Sequence, residues 1–93
     1  MIDFGRYDEN LKKLNEEYIG YAVSADRRMT GVLRRMLKIA RESGDPMLIG
    51  YVYHSMANAD YYITGNYRAF LKNLMLSARY LLRCPDKSEM KNV

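Results

Sequence analysis

A catalytic site needs a nucleophile or proton carrier, a base, and a group that orients the base. The sequence offers few residues for these roles. Its one histidine is His54. No cysteine, second histidine or paired carboxylate stands three or four residues away to complete a proton-transfer or metal site. Asp60, the nearest acid, falls on a different face of any helix that carries His54. The neighbouring carboxylates Glu16-Glu17 and Asp8-Glu9 cannot act as dyads, because adjacent helical residues point apart. Cys84 is the only cysteine, so no internal disulfide can form and a reducing compartment is expected. Gly44, Gly50 and Gly65 stand alone, so neither a phosphate loop nor a dinucleotide fingerprint is present. No enzyme and no cofactor or metal is expected from these residues.

The next possible chemistry is charge. Arg27, Arg28, Arg34, Arg35 and Lys38 form the densest basic cluster, within a chain of 15 Lys+Arg and 11 Asp+Glu and a net charge of +4. These cations fall between apolar residues at helical spacing, so they read as the solvated face of an amphipathic helix. The alternative is a small basic nucleic-acid-binding protein or an accessory domain of a DNA-binding regulator. That alternative predicts affinity that falls steeply with salt. The start, Met1-Ile2-Asp3-Phe4, lacks the pattern of a signal peptide. No window reaches the roughly 18 apolar residues of a membrane span. A cytoplasmic protein without membrane association is expected.

These residues must be positioned by helices. At 93 residues, 48% of them hydrophobic and 28% charged, the chain suits one small globular domain. No stretch alternates apolar and polar residues long enough for a strand. Leu11, Leu14, Tyr18, Tyr21 and Ala22 form the stripe of a first helix, with Ser24 or Asp26 able to cap the second. The second carries Met29, Val32, Leu33, Met36, Leu37 and Ala40 inward and stops at Ser43-Gly44-Asp45. Asp45-Pro46 then reads as N-cap and first residue of a third helix, which runs to about Ile63. Its apolar set is Leu48, Ile49, Val52, Met56, Ala59 and Ile63, and Thr64-Gly65-Asn66 breaks it. The fourth helix shows the most regular stripe: Tyr67, Phe70, Leu71, Leu74, Met75, Ala78, Leu81 and Leu82. Pro85 ends the regular structure, and residues 85–93 read as a polar tail or linker. Seven Met and nine Tyr without any Trp give an adaptable core. Tyr51, Tyr53, Tyr61, Tyr62, Tyr67 and Tyr80 are expected between helices, with wet hydroxyls, rather than as an aromatic surface.

A shift of about 38 residues lays the second helix on the fourth, with Met29 on Tyr67, Leu33 on Leu71 and Ala40-Arg41 on Ala78-Arg79. The run from Ala57 to Phe70, with Tyr61, Gly65 and Tyr67, resembles the tetratricopeptide repeat around its internal turn. Ala57 and Ala59 would let helices approach, Gly65 would turn the chain, and Tyr67 would plug the gap between helices. Phe70 stands where that family prefers Ala, and the first pair has no Gly-x-Tyr turn, so the first repeat rests on periodicity. The phrase Ala40-Arg-Glu-Ser-Gly-Asp-Pro, followed by Ala-Asp-Tyr-Tyr and Gly-Asn-Tyr-Arg-Ala-Phe-Leu, resembles N-terminal repeat regions of bacterial signalling proteins. Many of those carry a C-terminal diguanylate cyclase (GGDEF) domain, and no such motif lies within these residues.

The expected fold is therefore all-α: two antiparallel helical hairpins, about 8–43 and 46–83, stacked as a short tetratricopeptide-like solenoid in one domain over 1–84. The resemblance implies a non-catalytic protein-interaction or regulatory module with a protein or peptide partner. Spacing along the third helix puts Tyr51, His54, Asn58 and Asp60 on the binding surface, with Asn15 and Tyr18 from the first helix. Two repeats leave the last helix uncovered, so a homo-oligomer, most simply a twofold dimer, is expected.

Overall fold

The structure is a computed structural model that describes residues 9–83. The expectations for Asp8, Cys84, Pro85 and the tail lie outside those residues. Helix α1 spans Glu9–Val23, α2 Met29–Ser43, α3 Pro46–Ala59 and α4 Tyr67–Leu81. A π-helical turn, Asp60–Thr64, extends α3. The described residues form an all-α bundle without strands. Connections this short make successive helices antiparallel. Each helix packs on the next, most extensively α3 on α4.

The helix ends follow from local chemistry. The Asp45 side chain accepts from the Met47 backbone N–H at 2.9 Å, with Pro46 at the first helical position, where its missing N–H costs nothing. Asn66 caps α4 in the same way, its Oδ1 accepting from the Ala69 N–H at 3.1 Å. Gly65, at φ +69°, supplies the left-handed residue between α3 and α4. The first hairpin closes differently. Asp26 accepts from the Arg28 backbone N–H at 2.9 Å ahead of α2, whereas Ser24 donates its hydroxyl back to the Tyr21 carbonyl at 3.2 Å. Ser24 is therefore no cap for α2. The left-handed position in this turn is held by Ala25, at φ 54°.

The core lies among α1, α2 and α3. Leu11, Leu33, Met36, Leu48 and Val52 are fully buried, with Met29, Val32, Ala40, Ile49, Tyr53 and Ala59 around them. At about 1.5–3 kcal/mol for each large apolar side chain, this cluster supplies most of the burial. α4 adds no fully buried residue to this cluster; Leu76 and Tyr80 pack against it from outside, and a second contact fixes the helix. Ser77 is buried against Gly50, donating its hydroxyl to the Gly50 carbonyl at 2.7 Å. A Cβ added at Gly50 would lie 2.8 Å from Leu81 Cγ. The absence of a side chain at Gly50 thus creates the notch that Leu81 fills.

That attachment decides which face of α4 is covered. Of its stripe only Leu81 is buried, while Tyr67, Leu71, Met75 and Leu82 are 61%, 57%, 66% and 60% exposed. The inward arc is instead Ser77 and Leu81, flanked by the half-buried Phe70, Asn73 and Tyr80. Periodicity reports that a helix is two-faced, but close approach to α3 selects small residues for the contact. Tyr67 accordingly plugs no gap. Its ring stands edge-on to Tyr61 at 5.7 Å, on the outside.

Candidate interaction surfaces

Two surfaces emerge from this packing. The first lies on α1 and α3. Tyr51, His54 and Asn58 follow one another at i, i+3 and i+7, so they share one edge of α3, and all three are half-buried. Asn15 and Tyr18 share an edge of α1 by the same spacing. Tyr18 stands near enough to Tyr51 to act on its phenol. Burial pushes the Tyr51 hydroxyl above its ordinary range, the Tyr18 phenol adds to that, and a hydrogen bond with Ser55 opposes it. Burial also pushes the His54 imidazole below its ordinary value, so it is neutral at pH 7. The Oδ1 of Asn15 is buried without a hydrogen-bond partner among the described residues. An acceptor left so costs about 1–3 kcal/mol until a donor reaches it.

Asp60 does not join this group. It lies two residues past Asn58, about 200° around the helix. Its carboxylate accepts from the Asn73 amide of α4 at 2.7 Å, and Thr64 closes on its backbone carbonyl at 3.3 Å. It borders a separate cleft of about 250 Å³ with Thr30, Leu33, Arg34, Met56 and Asn66. Tyr51, His54 and Asn58 therefore share an edge of α3 and Asn15 and Tyr18 an edge of α1, with Tyr18 beside Tyr51, while Asp60 faces α4.

The second surface is the outer side of α4. At about 100° per residue, Leu74, Tyr67, Ala78, Leu71, Leu82 and Met75 occupy an arc of about 100°, and all are exposed. Arg68, Arg79, Lys72 and Arg83 fill the next 60° or so, and all are exposed too. No carboxylate occurs from Tyr61 to Arg83. At the start of α4 the arc continues into an aromatic group, where the Tyr61 ring meets Tyr62 at 4.8 Å and Phe70 at 5.1 Å. The π-turn carries Tyr61 and Tyr62 to this side, with Tyr62 75% exposed.

The remaining tyrosines and arginines tie helices together. Arg41 of α2 donates to the Tyr53 hydroxyl and lies 5.8 Å from its ring. Tyr53 stacks on Tyr80 of α4 at 5.8 Å, and Arg83 lies over Tyr80 at 5.1 Å. Tyr53 and Tyr80 thus sit between helices as expected, whereas Tyr61, Tyr62 and Tyr67 form an aromatic surface. Arg28 is held by Asp26 at 2.6 Å and over the Tyr21 ring at 4.9 Å. The hydrogen bond with Arg28 holds the Asp26 carboxyl below the usual carboxylate range. Arg27, Arg34, Arg35 and Lys38 are exposed, as a solvated face requires.

Among the described residues, no three of His, Cys, Asp and Glu gather closely enough to hold a metal, and no helix is long and apolar enough to cross a membrane. The Gly50–Ser77 contact and the Arg–Tyr ladder were missed in sequence because their partners are distant along the chain. A glycine inside an otherwise apolar helix was the one available signal. Comparison with family models, curated proteins and solved structures finds no match to this chain.

Proposed function

We propose that this protein is a non-catalytic interaction module, a helical-repeat regulatory region of a bacterial signalling protein of the cytoplasm. In a diguanylate cyclase of that kind, the cyclase chemistry would belong to another domain. Its partner is a protein or peptide. The observation that carries this reading is the exposed arc of Tyr67, Leu71, Met75 and Leu82 on α4, large apolar side chains at helix-docking spacing with water on their outer side. The α1–α3 face, with the orphaned Asn15 acceptor, is a second docking position.

Backbone amide shifts report the outcome. The protein is titrated with short amphipathic helical peptides and, separately, with duplex DNA at low salt. Peptide-induced shifts confined to α4 or to the α1–α3 face are expected. Shifts at Arg34 and Arg35 with DNA, and none with any peptide, would replace this reading with nucleic-acid binding.

The same arc favours a second reading, a twofold dimer through α4. An antiparallel pair of that kind brings four cations from each copy to one side. Screening relieves that repulsion, so such a dimer strengthens as salt rises. Sedimentation at two ionic strengths tests it.

A further inference from the structure

We infer that the outer face of α4 seats an amphipathic helix of another polypeptide, one whose apolar stripe is edged by carboxylates, with an acceptor opposite Arg79. This inference rests on the interaction-module reading and names the partner's chemistry.

The internal repeat supplies the template. α2 and α4 are both 15 residues long and start 38 positions apart. In α2, Met29, Val32, Leu33, Met36 and Ala40 are buried, because α1 covers one side and α3 the other. Of their five counterparts, Phe70 is half-buried and Tyr67, Leu71, Leu74 and Ala78 are exposed, because α4 packs chiefly on α3 alone. Among the described residues, no helix stands to α4 as α3 stands to α2.

The cations define that helix further. At the α2–α3 contact, Arg41 reaches across to the Tyr53 hydroxyl and ring. Its counterpart 38 positions on is Arg79, which is exposed and makes no hydrogen bond or ion pair with any other described residue. Arg68, Lys72 and Arg83 line the same edge, with no carboxylate on α4 to neutralise them. A second copy of α4 would face cations with cations. A helix with Glu or Asp along one edge satisfies the apolar arc and the basic strip together. Each exposed ion pair is worth up to about fivefold in affinity, so several decide between partners.

The probe is a synthetic, amidated helical peptide with Leu at i, i+3, i+4 and i+7 spacing and Glu along one edge. Matched peptides carry Gln or Lys in place of Glu. In titrations followed by anisotropy at low salt, the Glu peptide should bind at least about tenfold tighter than the Gln peptide, and the Lys peptide should not bind. The Arg79→Glu/Arg83→Glu variant should reverse that order. Leu71→Ser, at an exposed position, should abolish binding with the fold intact by circular dichroism. Equal binding of the Glu and Gln peptides overturns the charge assignment and leaves the interaction module standing. Failure of all three peptides removes both. Binding to phosphatidylglycerol vesicles but not to the Glu peptide assigns the face to an anionic lipid surface, and a micromolar dimer lost in Leu71→Ser assigns it to a second copy; either result overturns the proposal.

Discussion

Gly50→Ala tests how α4 is attached. The new methyl carbon would lie 2.8 Å from Leu81 Cγ, 2.9 Å from Leu81 Cδ2 and 3.2 Å from the Ser77 carbonyl oxygen. The first of these is a branch point and the last is backbone, so a rotamer change alone does not relieve the clash. Forcing one carbon into a filled contact costs about 1–3 kcal/mol. Spreading the helices also weakens the buried Ser77–Gly50 hydrogen bond, worth about 1 kcal/mol. Against this, alanine returns about 1 kcal/mol of helix propensity. The net expectation is a loss of about 1–3 kcal/mol, a large share of the stability of so small a domain. Urea unfolding followed by circular dichroism reads it. With a slope near 1 kcal/mol/M, the midpoint should fall by about 1–3 M. Gly20 and Gly31 are the controls: an added Cβ at either meets nothing within 4 Å, so alanine there should hold or raise the midpoint. If Gly50→Ala behaves like Gly31→Ala, α3 and α4 do not meet at this notch and the reasoning fails.

His54 gives a pH dependence of definite sign. Its folded pKa lies below the unfolded value because of burial, so the unfolded state binds more protons in that window. Stability is full above about pH 6.5 and falls as pH drops through 6.5 toward the folded value. Denaturant midpoints measured between pH 5 and 7 should show that slope, and His54→Gln should flatten it; an unchanged slope would assign it to other groups. Asn66→Ala removes the acceptor that holds the Ala69 N–H, and should cost about 1 kcal/mol while amide exchange speeds up in the first turn of α4. Asn66→Asp should retain most of that stability.

The number of helices and most of their ends could be read from punctuation. Asp45-Pro46, Gly44 and Gly65 each impose a backbone state that only a helix boundary uses. The inward face of α2 could be read as well, because α2 has helices on two sides and its whole apolar stripe is covered. For α4 the sequence indicates an uncovered side but not which face packs. Its stripe has the same period, but a period carries no information about which neighbour is present. The face that α4 turns to α3 is chosen by Gly50 and Ser77, a pair 27 residues apart. Spacing at i, i+3 and i+7 sets Tyr51, His54 and Asn58 on one edge of α3, as the sequence indicates. Asp60 fell away because two residues carry it to the far side of its helix. The aromatic group at Tyr61 and Tyr62 was illegible for a related reason: nothing in local propensity marks a π-turn.

That π-turn selects a direction. Five residues, Asp60–Thr64, wind wider than an α-helix would at the point where the chain leaves α3. After Gly65 the chain returns along the side of α3 that carries Gly50, where Ser77 and Leu81 meet it. Winding the same five residues as an ordinary α-helix would carry the exit further around the axis of α3 and aim the last helix at a different flank. A single widened turn thus acts as the pointer that decides where the chain's final element comes to rest.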